Sequence, residues 1–466
     1  MESPSSVRFV SECFIKPKYI REESEVPIYL SPWDLSTLFI HYIQKGFLFP
    51  KPPAFDNDQN HIQELLEKLQ ESLSLTLVHF YPLSGRFAMR NCETNPSSLV
   101  IYVDCKKDPG ARFIHASLGL TLDDILSPTD VPQVVRSFFD HDGSISYDGI
   151  TESLLSIQVT ELIDGIFIGC SMNHMMGDGT SFWHFLNSWS EIFKAEGKAI
   201  AISRPPTYEK LFPEGHSPII SIPFSESKDH FISRDDKEKE KAQPEKIRER
   251  IFHFSSESVA KLKAKANAGC NASTKISSLQ ALSALIWICI TRCRNIPPHQ
   301  KTNFIMVLNN RSRFVPPVSQ DNFGNYLHPL VVTTTCGELL EGGFRLAAWQ
   351  LHQAVINHTD KEARKLIESW MDSPIIPRVN DSMVFDPCSI LLGGSQWFNI
   401  YGNEFGLGKP IIRSGGANKF DGKVTVYPGT EGGASMDLEI CLQSHVMTSL
   451  ESDMEFMESA SFSRSL

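Results

Sequence analysis

A histidine and an aspartate four residues apart, His174 and Asp178, form the pattern in this chain that best suggests chemistry. An imidazole with a pKa near 6.5 can accept a proton from an alcohol or amine as that group attacks an electrophile, which typically contributes about 10²- to 10⁴-fold in rate. Gly177 and Gly179 would let the backbone turn tightly where a substrate must approach. HxxxD alone is a weak pattern, because it occurs by chance in many proteins and a hydrogen-bonded core histidine competes with it.

Asp178 also has a purely structural interpretation. Together with Thr180 it directly precedes a predicted helix, where a carboxylate caps unpaired backbone N–H groups and complements the helix dipole. The sequence therefore predicts a structural aspartate even if His174 is catalytic.

A β-hairpin and an amphipathic helix must position this histidine. Apolar residues alternate over 155–159 and 166–172 on either side of Asp164-Gly165, which predicts the hairpin. The period then becomes helical, with a buried stripe of Phe182, Phe185, Leu186, Trp189, Ile192 and Phe193. If strand parity persists, His174 faces the same apolar interior as Ile168, Cys170 and Met172.

The rest of the chain alternates helices with strands. We expect helices at 61–81, 259–268, 277–292, 346–356, 361–371 and 444–456. We expect strands at 7–15, 35–43, 99–104, 252–254, 304–309, 389–392, 397–401, 411–414, 424–427 and 435–442. Residues 203–250 contain several prolines and end in a block of mixed charge, which predicts a solvated connection between two domains. These spacings favour an α/β fold of layered domains with mixed sheets.

Composition excludes several classes of function. The net charge of -11 argues against nucleic acid or an anionic membrane as a partner, because phosphate binding needs concentrated Lys and Arg. The longest apolar run, near 285–290, falls far short of the ~20 residues of a membrane span, and no secretory signal is evident. Ten scattered cysteines without a CxxC pair are typical of reduced thiols. We expect a cytoplasmic monomer.

Other chemistries fit the sequence poorly. The Glu of an HExxH zinc motif is missing, no P-loop or GxGxxG is present, and residues 169–173 do not form a GxSxG nucleophile elbow. We therefore expect no metal and no bound cofactor.

Four motifs, in order along the chain, give the HxxxD pattern its meaning. They are Tyr81-Pro-Leu-Ser-Gly-Arg86, His174-Met-Met-Gly-Asp178-Gly, Asn310-Arg311-Ser-Arg313 with Phe323-Gly-Asn325, and Glu404-Phe-Gly-Leu-Gly408-Lys-Pro410. In this combination the chain resembles the plant BAHD acyltransferases over essentially its whole length.

The resemblance implies two chloramphenicol-acetyltransferase-like domains with an active-site channel between them. It places the first domain at 1–200, a crossover linker at 201–250 and the second domain at 251–466, with part of 372–400 packing against the first domain. Acyl-CoA, as a co-substrate, would enter from one side and a small-molecule acceptor from the other.

The resemblance also implies roles for individual residues. His174 would deprotonate the acceptor, while Asp178 would be structural and paired with Arg311. The family binds the CoA nucleotide mostly against the second domain, so candidate CoA ligands are Lys261, Lys263, Lys265, Ser277 and Ser278, although solvated lysines and a helix cap are competing interpretations. Candidate acceptor contacts, from position alone, are Trp33, Ser395 and Trp397, and for each residue taken singly a place in the core is the stronger interpretation.

One motif departs from the family pattern. The usual DFGWG is replaced by Glu404-Phe405-Gly406-Leu407-Gly408, which removes an indole and its N–H donor. The family loop is mainly structural, so catalysis is not excluded, but the local packing or CoA-side geometry is expected to differ.

The sequence thus predicts a CoA-dependent acyltransferase that moves an acyl group to a hydroxyl or amine of a plant specialised metabolite. Two alternatives stay open at this stage. The same base could run a lyase reaction without CoA, or the chain could be a non-enzymatic small-molecule binder. The acyl donor and the acceptor are not encoded in any motif.

Overall fold

The computed structural model of the chain describes residues 6–53, 60–92, 98–106, 109–196, 201–223, 247–269, 275–374, 376, 386–413 and 419–460. The strands are β1 (Arg8–Ile15), β2 (Ile28–Tyr29), β3 (Ile43–Pro50), β4 (Arg86–Cys92), β5 (Ser98–Asp104), β6 (Ala111–Ser117), β7 (Leu155–Glu161), β8 (Gly165–Met172), β9 (Ile222–Pro223), β10 (Ile247–Phe254), β11 (Lys301–Asn309), β12 (Leu327–Thr335), β13 (Ser389–Gly394), β14 (Ile411–Arg413), β15 (Lys423–Pro428) and β16 (Met436–Gln443).

The helices lie mostly on the faces of the sheets. They are α1 (Pro32–Leu35), α2 (Asn60–His79), α3 (Leu122–Leu126), α4 (Gly179–Lys194), α5 (Ser256–Asn267), α6 (Ser278–Arg294), α7 (Cys336–Asn357), α8 (Asp360–Asp372), α9 (Ser444–Leu450) and α10 (Met454–Ser459). Short 3₁₀ helices span Glu22–Glu25, Tyr81–Ser84, Gln133–Phe138 and Ser146–Ile150. None of the helices in the described ranges combines the length and apolar character that crossing a bilayer requires.

Two mixed six-stranded sheets form the framework. The first has the order β1-β6-β7-β8-β3-β14, and the second has the order β10-β16-β15-β13-β11-β12. A smaller sheet, β2-β5-β4, is extended by β9 on β5. The α/β fold with mixed sheets is therefore confirmed.

The first core contains the predicted hairpin and the aromatic helix. Strands β7 and β8 pair from Leu155 opposite Met172 to Glu161 opposite Ile166, as the alternation predicted. Strand β8 is buried on both faces, because neighbouring segments cover the side that alternation would leave to solvent. At Gly169 a Cβ atom would lie 2.4 Å from the Phe138 carbonyl oxygen, so only glycine fits this approach. On α4, the Trp189 indole donates a hydrogen bond to Ser72 of α2 at 3.0 Å.

The second core is built around α6, which is buried along most of its length. The Trp287 indole donates to the Thr302 hydroxyl on β11 at 3.0 Å, which ties the helix to its sheet. Helices α5 and α7 pack against α6 and complete the layer.

The two halves of the chain exchange segments. Strand β14, from the second half, pairs with β3 of the first sheet. Ile400, Phe405 and Leu407 also belong to the first core. The boundaries near 200 and 250 stay a prediction, and residues 224–246 lie outside the described residues.

Several local predictions were wrong. Residues 35–43 do not form a strand, because Ser31 and Asp34 make a reciprocal capping box that starts α1, and the strand begins only at Ile43. Residues 397–401 are turns, and the predicted closing helix is divided into α9 and α10. Residues 203–223 are not merely solvated, since Ile220 and Ile222 are buried and β9 pairs with β5.

Candidate active site

The His174 loop joins the end of β8 to the start of α4. Asn173 anchors it from the first half: its side-chain amide donates to the Ser146 carbonyl at 2.8 Å and its Oδ1 accepts from the Met175 N–H at 3.0 Å. Asn325, from the second half, donates through Nδ2 to the His174 carbonyl at 2.7 Å. Strand geometry ends at Met172, so these hydrogen bonds, and not strand parity, set the position of His174.

The His174 ring is half-buried. Its Nδ1 is buried and has no hydrogen-bond partner among the described residues. Burial is the main cause that lowers the pKa of the imidazole below its ordinary value of 6.5, and the Lys423 ammonium contributes a little in the same direction. The ring is therefore neutral and able to accept a proton at neutral pH.

Asp178 is fully buried and caps α4. Its Oδ1 accepts from the Ser181 N–H at 3.1 Å, and its Oδ2 accepts from the Tyr326 N–H at 3.1 Å. The Arg311 guanidinium donates to the same Oδ2 at 2.6 Å. These bonds occupy both carboxylate oxygens, which fixes the first turn of the helix that follows His174.

Arg311 is also fully buried, and its remaining donors are paired. It donates to the carbonyls of Gly324 at 2.9 Å and Asn322 at 3.1 Å, and to the Ser181 hydroxyl at 3.2 Å. Its guanidinium carbon lies 4.6 Å from the centroid of the Tyr326 ring. We call Asp178, Ser181, Arg311, Gly324 and Tyr326 the aspartate–arginine cluster. It joins the His174 loop to the loops around β11 and β12.

Neither Gly177 nor Gly179 has a positive φ, so the demand at these two positions is for space: severe at Gly177 and milder at Gly179. A Cβ on Gly177 would lie 2.6 Å from the Ser181 Cβ, and one on Gly179 would lie 3.3 Å from Cζ of Phe398. The loop is therefore packed tightly against α4 on one side and Phe398 on the other.

A second group of buried charges, which the sequence motifs did not indicate, lies between the two sheets. We call it the lysine seam; its members are Lys45, Glu249, Lys419, Lys423, Tyr427 and Glu439. The Lys45 ammonium, on β3, donates to the Tyr427 hydroxyl on β15 at 2.9 Å. That hydroxyl donates to Glu439 on β16 at 3.2 Å. The first sheet is thus bonded directly to the second.

Lys419 neutralises both carboxylates of the seam. Its ammonium lies 2.8 Å from Glu249 and also forms an ion pair with Glu439. Although burial opposes it, this pairing raises the pKa of Lys419 and keeps the ammonium charged. Burial lowers the pKa values of Lys45 and Lys423 to about 8. The available sequence signal was a lysine within β3 and another at the first position of β15, two strands whose other residues are mostly apolar.

The predicted CoA ligands lie on the helical layer of the second half. Lys261 forms an exposed ion pair with Glu257 at 2.7 Å, and Lys265 pairs with Glu455 at 3.0 Å. Lys263 is exposed, while Ser277 caps α6 by accepting from the Gln280 N–H at 3.2 Å. Ser278 is half-buried in the first turn of that helix. The structure brings these residues onto adjacent helices, α5 and α6, and their CoA contacts stay a prediction.

The three predicted acceptor contacts are not one group. Trp33 is buried against Phe314 and Tyr326, with ring centroids 5.6 and 6.0 Å away. Trp397 is 79% exposed, and its backbone N–H donates to the Ser395 hydroxyl at 3.1 Å. The neighbouring Phe398 reaches the His174 loop at Gly179. Sequence reasoning missed Phe398 because a single phenylalanine carries no motif.

The altered Glu404-to-Gly408 motif packs against α4. Phe405 lies 4.7 Å from Trp189 between ring centroids, and Leu407 is buried in the first core. Glu404 forms a partly exposed ion pair with Lys194 at 3.5 Å. The motif therefore supports the helix that follows His174. As for metals, no group of three His, Cys, Asp or Glu side chains within the described ranges could hold an ion.

Two mixed sheets with a histidine loop held between them define the class of two-domain, chloramphenicol-acetyltransferase-like acyltransferases. The model of the Transferase family matches residues 5–457 of the chain. An uncharacterized acetyltransferase of Arabidopsis thaliana is 34% identical over 459 residues, covering 97% of this chain and 99% of the relative. The BAHD acyltransferase DCR of the same plant is 29% identical, covering 97% of this chain and 92% of the relative.

A crystal structure of TRI101 from F. sporotrichioides, complexed with coenzyme A and T-2, superposes with a TM-score of 0.69 at 18% identity and covers 93% of this chain and 99% of that one. This likeness shows the shared fold. The chain belongs to the Transferase family of BAHD acyltransferases, and the predicted family and enzyme class are confirmed.

Proposed function

We propose that the chain transfers an acyl group from a CoA thioester to a hydroxyl or amine of a plant specialised metabolite, with His174 as the general base. The observation that carries this proposal is the His174 ring itself. It is neutral and half-buried, and both halves of the chain hold its loop. The solved relative's complex with coenzyme A and a second small molecule supports a site for two reactants.

The chemistry follows from the orientation of the ring. Because Nδ1 is buried, Nε2 is the nitrogen left for a substrate. Nε2 takes the proton of the acceptor O–H or N–H while the acceptor oxygen or nitrogen attacks the thioester carbonyl. The tetrahedral intermediate then expels the CoA thiolate, which takes the proton back from the imidazolium. The products are the acylated acceptor and CoA, with no covalent enzyme intermediate.

The other finer predictions belong with this proposal. We propose that the acyl-CoA nucleotide binds near Lys261, Lys263, Lys265, Ser277 and Ser278, and that the acceptor enters past Ser395 and Trp397 with Trp33 behind them. The cytoplasmic location and the monomeric state also stay predictions from the sequence.

The test begins with substrate identification. Purified protein is incubated with pooled acyl-CoAs and plant metabolites, and acylated products are identified by mass spectrometry. With the best pair, His174→Ala should lower kcat by about 10²- to 10⁴-fold because no other group takes the proton. His445→Ala, which removes an exposed histidine on α9, is the control and should keep the wild-type rate. Near-full transfer by a folded His174→Ala protein would exclude His174 as the base.

A further inference from the structure

The ammonium of Lys423, a half-buried residue at the start of β15, has no counter-ion in the part of the chain that the structure describes. Among the described residues its ammonium makes no hydrogen bond or ion pair, whereas Lys45 and Lys419 both have partners. The nearest neighbour in register, Cys441 on β16, offers no charge, because burial raises the pKa of that thiol and keeps it neutral. Burying an ammonium without an anion costs several kcal/mol in general, so such groups are rare unless a ligand completes them.

The surroundings do not supply the missing anion. The charged groups that act on Lys423 are Lys419 and Glu439, and Glu439 is already engaged by Lys419 and by the Tyr427 hydroxyl. Three lysines face two glutamates across the lysine seam, and Lys419 bonds to both of those glutamates. Of the three lysines, Lys423 is the one whose ammonium makes no hydrogen bond or ion pair among the described residues.

The position of Lys423 connects this charge to the candidate active site. Lys423 and Tyr427 share one face of β15, since they are four residues apart on a strand, and Tyr427 belongs to the first core and bonds to Lys45. A Cβ on Gly393 would lie 3.1 Å from the Lys423 Nζ, so the glycine leaves room for the ammonium beside the segment that continues to Ser395. Lys45, which donates to Tyr427, lies opposite Cys170 on β8, the strand that leads into the His174 loop.

We propose that Lys423 binds a carboxylate of the substrate on which His174 acts, and thereby selects an acidic reactant. A charge-assisted hydrogen bond from Lys423 to a carboxylate would give this ammonium the partner that the described residues do not supply. This inference rests on the proposed function, because it names the chemical class of a reactant for the same site.

Two reactants could carry the carboxylate. It could belong to the acceptor, as in a hydroxy or amino acid, or to the acyl group of a dicarboxylic acyl-CoA. Binding is measured by isothermal titration calorimetry on the full-length chain. One arm compares shikimate, 4-hydroxybenzoate and N-acetylglutamate with their methyl esters, and the other compares malonyl-CoA and succinyl-CoA with acetyl-CoA.

The variants isolate the charge. In the wild type, at least one acid should bind 10-fold or more tightly than its neutral counterpart, and the arm in which this happens identifies the reactant. Lys423→Met should reduce that preference to threefold or less while leaving the neutral counterpart bound as before, and Lys423→Arg should retain it. Lys301→Met, an exposed lysine on β11 of the same sheet, should leave the preference unchanged.

Two results would overturn the inference: no acid in either arm outbinds its neutral counterpart in the wild type, or the preference persists in Lys423→Met. Binding to His174→Ala separates this test from that of the proposed function. An acid preference kept by a His174→Ala protein whose wild-type parent transfers no acyl group would support the Lys423 site and contradict the transferase reaction. Conversely, acyl transfer that occurs with neutral reactants only would support the transferase reaction and contradict the Lys423 site.

Discussion

The aspartate–arginine cluster at the His174 loop and the lysine seam between the two sheets both bury charged groups, but they differ in how those charges are paired. In the cluster, one carboxylate meets one guanidinium, and the other donors of Arg311 all reach carbonyl or hydroxyl oxygens. In the seam, Lys419 is paired with two glutamates while Lys423 has no partner among the described residues.

This difference in pairing indicates a structural role for the aspartate–arginine cluster and a ligand-binding role for the unpaired lysine of the seam. A buried ion pair with every hydrogen bond made is suited to hold a loop in one place, and the cluster holds both the start of α4 and the loop before β12. An unpaired buried cation contributes nothing to holding the fold and instead raises its energy. Residues of the second kind are candidates for ligand binding.

The largest effect is expected from breaking the cluster. Arg311→Met leaves the Asp178 carboxylate buried without its guanidinium, which should lower the free energy of unfolding by about 3–5 kcal/mol. Urea unfolding followed by circular dichroism measures it. Arg204→Met is the matched control, because Arg204 is 58% exposed and pairs with Asp321 at the surface, so its loss should cost about 1 kcal/mol or less. Equal losses in both variants would contradict the structural role of the cluster.

A smaller change, an increase in the free energy of unfolding, is expected from a substitution in the lysine seam. Lys423→Met removes an ammonium that the folded state disfavours, so the free energy of unfolding at pH 7 should rise by about 1–3 kcal/mol. Below pH 8 the wild type bears the full penalty. Between the folded pKa of about 8 and the ordinary value of 10.5, the folded protein loses a proton that the unfolded chain keeps, so the advantage of the variant should shrink as pH rises through this window.

Urea titrations at several pH values from 6 to 10.5 test this dependence. Lys301→Met, at an exposed position, should stay within about 0.5 kcal/mol of the wild type at every pH. A destabilised Lys423→Met protein at neutral pH would mean that the ammonium is satisfied inside the fold, and the contrast between the two regions would be lost.

The two regions also differ in how far the sequence could predict them. The change from a two-residue to a helical period located the hairpin, α4 and the loop that carries His174. The motif resemblance indicated the Asp178–Arg311 pair, although Asp178 caps α4 in the first half of the chain and Arg311 lies in the turn after β11 in the second half. Local hydrophobic patterns could locate these elements because the period of the apolar residues differs between a strand and a helix.

The seam was not predicted because it exists only after the two sheets meet. Lys45 and Tyr427 come from opposite ends of the chain, and neither lies in a recognisable motif. The errors in secondary structure have a related cause. At 35–43 the apolar run indicated a strand, but the capping box at Ser31 and Asp34 started a helical turn. At 397–401 aromatic residues indicated a strand, but backbone hydrogen bonds from Ile400 to Phe398 and from Asn403 to Ile400 form turns.

The smallest expected effect links the seam to the base and appears in the pH dependence of kcat/KM. His174 must be neutral to accept a proton, and burial together with Lys423 lowers its pKa, so the wild-type rate should fall on the acid side only below pH 6.5. Lys423→Met removes the repelling charge and should move that acid limb upward, by a small amount because burial, the larger cause, is unchanged. A wild-type limb at or above pH 6.5, or a downward shift in the variant, would show that the seam and His174 do not interact electrostatically as the structure indicates.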